Sequence, residues 1–229
     1  MLDMLQVPRA EVFALLAAIG FAAGLNLYAT VAALGLLARF GHIPLPPGLE
    51  VLAGWPVIGA SAVLFGIEFF AGKIPAFDLI WNALHTFIRV PVAGLLAFQA
   101  TRQLSPEMQL LATLVGALVA LAAHGGKTAA RAAVTASPEP FSNVALSVGE
   151  DALAIFLTWF ATRHPYWAAG IVAALLVLIV VPARWVWRSM RALFRGAEQE
   201  LALIRRWPFA LIWDSCKASM WVKMASTIT

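Results

Sequence analysis

Long stretches almost without charge constrain this chain more than any other feature. Residues 10–40 carry only Glu11 and Arg39, residues 54–72 only Glu68, and residues 167–181 none. About 20 apolar residues suffice for a helix to cross a bilayer. Composition agrees: 62% of residues are hydrophobic and 12% charged, against about 25% charged in soluble domains. The chain reads as an integral membrane protein with one membrane domain. The charges before the first apolar run are Asp3, Arg9 and Glu11, without the basic start of a cleavable signal, so that run stays as a span. The single cysteine, Cys216, excludes an intramolecular disulfide and a cysteine metal cluster.

The apolar runs and the Pro/Gly-rich breaks between them predict about six spans. The first, residues 10–40, is longer than one crossing needs, and its centre reads GLNLYAT around Asn26. It is either one tilted helix or two half-helices with an unwound polar middle. GHIPLPPGLE (41–50) is a surface loop, and 54–72 is a second span with Ser61, Phe65, Glu68 and Gly72 on one face. The turn GKIPAFD leads into a third helix, about 77–99, on which Asp78, Asn82, His85 and Arg89 share a stripe, with a kink expected at Pro91. The fourth segment, about 108–136, carries His124, Gly125, Gly126, Lys127 and Arg131 at or past its centre, and the two glycines suit an unwound middle. SPEPFSN (137–143) separates it from a fifth span, 144–162, where Ser142 or Asn143 caps the helix and Glu150 and Asp151 follow. A sixth span, 167–181, is closed by Pro182.

With an offset of 100 positions, AAGLNLYATVAA (22–33) lies on AAHGGKTAARAA (122–133), matching five alanines, and Glu68 and the Glu150/Asp151 pair then fall in the corresponding second helices of the two halves. Three spans per half forces the halves into opposite orientations. The expected fold is therefore an all-α, polytopic transmembrane bundle of two inverted three-span repeats, about 10–101 and 108–188, with broken first and fourth helices. Its membrane domain covers 1–196. Residues 197–229 are expected to form a basic, amphipathic cytoplasmic tail. Eight of the 16 Lys/Arg residues fall at or after Arg184, which places the C-terminus, and by span count both termini, in the cytoplasm. The bases interleave with Trp185, Trp187 and Phe194, so an anionic lipid surface is the expected partner and nucleic acid is not.

Two runs carry a resemblance. IEFFAGKIPAFDLIWNALHTFIRVPVAG and HGGKTAARAAVTASPEPFSNVALSVGED resemble an uncharacterised bacterial integral membrane family known as domain of unknown function 4126, with KIPAFDLIW and SPEPFSN followed by ED as the specific parts. The likeness covers roughly 13–195. It implies a multi-span membrane protein and brings no established activity. The family pattern often has an Asp before the Lys of the K-x-P turn; this chain has Gly72 there, so any role of that acid is absent or moved to Asp78.

Ionised residues inside a membrane cost roughly 2.5–3.5 kcal/mol each on insertion scales, face the interior and have partners. On that ground the sequence predicts a mid-membrane site. Asn26, Arg89, His124, Lys127 and Arg131 would bind an anionic solute or lipid phosphate, and Glu68, Asp78, Glu150 and Asp151 would carry protons or coupling ions in a small secondary transporter or exchanger. The alternative is a non-transporting scaffold whose buried charges form a structural ion-pair network. Acids (Glu68, Asp78, Glu150, Asp151) and bases (Lys73, Arg89, Lys127, Arg131) balance four to four. Dry one-to-one pairing favours the scaffold and a water-filled cavity favours transport. No metal or cofactor is expected: there is no H-E-x-x-H, no G-x-S-x-G and no Cys/His cluster, so an enzyme is not expected either. The sequence leaves room for a homo-oligomer.

Overall fold

The computed structural model describes residues 9–206 apart from 42, 44, 47, 74 and 136–139. Among the described residues the chain is all-α, with seven α-helices: α1 (Arg9–Leu25), α2 (Leu27–Phe40), α3 (Trp55–Ala71), α4 (Pro75–Ala100), α5 (Pro106–Thr135), α6 (Pro140–Arg163) and α7 (Pro165–Arg206). A single 3-10 turn, Glu50–Ala53, precedes α3. Four helical stretches are long and apolar enough to cross a membrane: Ile80–Ala100, Pro106–Ala133, Val144–Arg163 and Pro165–Arg195. Their outward faces carry exposed Leu84, Phe87, Leu114, Leu118 and Val177. Exposed side chains of this size suit hydrocarbon. The protein is a multi-pass helical membrane bundle.

By its contacts the chain divides into Met1–Val180 and Val181–Thr229. In the first unit, α1 is the central element. Every residue from Ala18 to Leu25 is buried, as expected of a helix that is apolar on all sides. Small residues let its neighbours approach. A Cβ on Gly20 would stand 3.1 Å from the Gly116 carbonyl oxygen, and one on Gly24 only 2.4 Å from that of Ala120. The α1–α5 crossing is thus a backbone-to-backbone contact that no larger residue permits. The antiparallel α4–α5 pair uses the same device, with Gly116 against Ala97 and Gly94 against Ala117. Around this seam Phe21, Leu25, Leu157, Ala168 and Val172 form one apolar cluster, and Leu16, Leu34, Leu52 and Ala97 belong to another.

The first long segment is two helices. Asn26 alone is extended (φ −147°, ψ 104°) between α1 and α2, and its side chain accepts from the Ala29 amide as the α2 N-cap. The expected break in the fourth segment does not occur: α5 runs unbroken through His124, Gly125 and Gly126. The reason lies in what surrounds the glycines. Gly125 faces open space, while a Cβ on Gly126 would meet Ile179 of α7 at 2.6 Å. Gly126 therefore serves close helix packing. In lipid a helix opens only where its freed carbonyls and amides find partners. The helix interruption is consequently found in the first half of the chain and not at its counterpart in the second.

Two boundaries also differ from expectation. The apolar span itself is Val144–Arg163, as expected, but its helix α6 already starts at Pro140 and not at a Ser142 or Asn143 cap, because a proline is well placed in the first turn, where its missing N–H costs nothing. The last span does not close at Pro182, since α7 continues through it to Arg206. In the second unit the 181–195 side chains are exposed, with Arg184, Arg188, Arg191 and Arg195 on one stripe and Trp187, Met190 and Phe194 on the next. Arg191 lies over the Trp187 ring at 5.6 Å. Most of the tail expected at 197–229 lies outside the described residues.

Candidate functional site

The α1–α2 break creates the polar demand around which the site is built. A helix C-terminus presents unpaired carbonyls and favours a cation, and an N-terminus presents amides that a side-chain acceptor such as that of Asn26 can cap. Lys127 of α5 donates to the Leu25 carbonyl at 2.8 Å, at the end of α1. Asp151 of α6 accepts from the Asn26 side-chain nitrogen at 2.8 Å, at the start of α2. The break is therefore satisfied from two other helices, by residues more than a hundred positions away in sequence.

From Lys127 the network spreads both ways. Its ammonium lies 3.5 Å from Glu68 of α3 and 3.5 Å from Glu150 of α6. Glu68 is also paired with Arg89 of α4, whose side chain is 0% exposed. Arg131, one turn beyond Lys127 on α5, donates to Glu150 Oε2 from both Nε at 3.1 Å and Nη2 at 2.7 Å, charge-assisted bonds that converge on one oxygen, and donates through Nη1 to the Gly72 carbonyl at 3.1 Å. Glu68, Arg89, Lys127, Arg131 and Glu150 are all buried. Removing the counter-ion of such a group leaves a buried charge and costs roughly 3–5 kcal/mol.

Arg89 has a second set of partners. Its Nη1 meets Asn82 Oδ1 at 3.3 Å and His124 Nδ1 at 2.9 Å. A guanidinium only donates, so Nδ1 accepts and the His124 proton sits on Nε2, which faces the Asn82 carbonyl at 3.2 Å and the Thr86 hydroxyl at 2.7 Å. His124 thus serves as a neutral bridge between α4 and α5. His85 is held apart from this set: Nδ1 meets the Trp81 carbonyl at 2.8 Å, Nε2 meets the Tyr28 hydroxyl at 3.0 Å, and the ring stacks on Trp81.

Of the residues singled out from sequence, the structure brings Asn26, Glu68, Arg89, His124, Lys127, Arg131, Glu150 and Asp151 into one connected cluster. The side chain of Asp78 lies outside what is described. The adjacent acids divide as helix geometry requires. Glu150 takes both α5 bases, and Asp151 turns to the break. Tyr28, Thr86 and the carbonyls of Leu25 and Gly72 were not singled out. Neutral hydroxyls and main-chain acceptors leave no mark in a charge-based reading, although Tyr28 lies two residues after Asn26 and Thr86 four after Asn82. Among the described residues no three His, Cys, Asp or Glu side chains gather as metal ligands.

Residues 13–185 match a family described as Domain of unknown function (DUF4126). The chain belongs to this family. No curated protein and no solved structure matches it. The network described above, from Asn26 to Asp151, falls wholly within the DUF4126 domain. The one departure from the resembled pattern, Gly72, falls on it too. A Cβ at Gly72 would sit 3.4 Å from both terminal nitrogens of Arg131 and 2.9 Å from the Ser147 hydroxyl. An acid at this position would stand beside the same base that Glu150 holds here.

Proposed function

We propose that this DUF4126 protein is a membrane scaffold whose interior charges form a structural ion-pair lock around the α1–α2 break. The observation that carries this reading is the direct pairing of the buried bases. Arg89 is on Glu68, Lys127 is on the Leu25 carbonyl between Glu68 and Glu150, and Arg131 is on Glu150. The competing reading, a transporter holding an anionic solute or lipid phosphate among Asn26, Arg89, His124, Lys127 and Arg131, asks that anion to displace Glu68 or Glu150. Each displacement breaks a buried pair, and the incoming anion has to make good that loss.

In this reading Arg9–Leu25 and Leu27–Phe40 cross together as one interrupted span, and α3, α4, α5, α6 and α7 complete six crossings, with both termini at the cytoplasmic face of the inner membrane. The α7 extension supports an attachment to anionic lipid. Its Arg184, Arg188, Arg191 and Arg195 stripe lies next to exposed Trp187 and Phe194, and each base near an anionic surface is worth on the order of 1 kcal/mol.

Water access separates the two functions. In a Cys216→Ser background, cysteines placed at Thr30 and Ser147, buried beside the network, are expected to resist small charged thiol reagents added from either side of the membrane. Rapid labelling of both from one side would mark a hydrated pathway and overturn the scaffold reading.

A further inference from the structure

Asp151 differs from the other acids of the cluster. Its side chain is 6% exposed. One carboxyl oxygen accepts from the neutral Asn26 amide, and the other, Oδ2, like Oε2 of Glu68, is buried without a hydrogen-bond partner among the described residues. Glu68 and Glu150 each pair with two bases, and no such pair reaches Asp151 among the described residues. The charged groups that face it are Lys127 and Arg131 from α5, Glu68 from α3 and Lys73 from the α3–α4 turn, with Glu150 next to it on α6. The two α5 bases are directed elsewhere, Lys127 to the Leu25 carbonyl and Arg131 to Glu150 and the Gly72 carbonyl.

A buried carboxylate with one neutral donor lacks the compensation that keeps a charge in an apolar interior, whereas a neutral carboxylic acid needs far less. We propose that Asp151 is an intramembrane proton-binding site, occupied in the folded bundle, whose proton sets the strength of the α1–α2 break. The link is Asn26, which caps α2 through its oxygen and holds Asp151 through its nitrogen. Loss of the proton turns the Asn26 contact into a charge-assisted bond. It also makes Asp151 a competitor for Lys127, which otherwise closes the end of α1. Proton release therefore pulls on the caps of both half-helices. This goes beyond the scaffold reading and does not depend on it, since a proton on Asp151 is compatible with either outcome of the cysteine test.

A proton bound in the folded state and released on unfolding makes stability highest at low pH and lowers it as pH rises. The full chain in nanodiscs is the sample. Its unfolding temperature is expected to fall from mildly acidic to mildly alkaline buffer, and Asp151→Asn, which mimics the neutral acid, is expected to lose most of that slope while matching the parent at acidic pH. Infrared spectra of protein labelled with carboxyl-13C aspartate are expected to show a protonated-carboxyl band at neutral pH that Asp151→Asn removes. Should that variant fail to fold, the same band is sought in Asp3→Asn/Asp78→Asn/Asp214→Asn, where Asp151 is the only aspartate left. A full pH slope in Asp151→Asn, or aspartates that are all ionised at neutral pH, overturns the proposal.

Discussion

At the scale of single residues, Glu68 ties two helices together, because Arg89 of α4 and Lys127 of α5 both lean on it. Glu68→Gln keeps the shape and removes the charge, leaving Arg89, 0% exposed, without a counter-ion. A loss of roughly 3–5 kcal/mol is expected in reversible unfolding in detergent, and a change of only a few tenths would show that Arg89 is compensated by other means. The members of this cluster were legible in the sequence because an ionised residue in a membrane segment has to face inward and be paired. Their partners were not. Lys127 meets Leu25 across 102 positions and Arg131 meets Gly72 across 59, in both cases at a main-chain carbonyl. No residue pattern announces such an acceptor. The Glu150/Asp151 pair was readable as two acids that cannot share one face, but which of them takes the bases depends on the rotation of α6 about its own axis.

At the scale of elements, the fold depends on how closely α1 approaches α5. The Gly24 contact is with backbone, the Ala120 carbonyl oxygen and Cα, which cannot move aside as a side chain can. Gly24→Leu is expected to cost at least about 1–3 kcal/mol, as overpacking does in a well-filled core. Gly59→Ala, where nothing lies within 4 Å of the added methyl, is expected to be neutral or slightly stabilising, since alanine is the better helix former by about 1 kcal/mol. Equal effects of the two in the same unfolding assay would contradict the packing described. The α3 bounds were legible almost to the residue from Gly54, Pro56 and Gly72. The two expected interruptions, of which only the first occurs, were harder to read. GLNLYAT and HGGKTAAR look alike as polar, glycine-containing centres, yet only the first contains an Asn able to cap the helix that follows, and only the first finds a lysine for the carbonyls that precede it. Gly126 instead makes room for Ile179, a requirement set by tertiary packing.

At the scale of the whole molecule, two parts of the chain have separate tasks in this account. In the proposed reading the α7 residues from 181 on form an attachment helix. Replacing Arg184, Arg188, Arg191 and Arg195 together by Gln is expected to weaken flotation of the detergent-extracted protein with anionic vesicles and to leave its unfolding temperature unchanged. A fall in that temperature would assign these residues to the folded core. The rest of the chain is a bundle locked from within, and a double-substitution cycle on Arg131 and Glu150 tests this central claim most directly. Arg131→Gln and Glu150→Gln are each expected to lose roughly 3–5 kcal/mol by reversible unfolding, and the double variant to recover a large part of the summed loss, because a neutral pair replaces a stranded buried charge. Single variants as stable as the parent, or a double variant whose loss is the plain sum of the two, would contradict the lock.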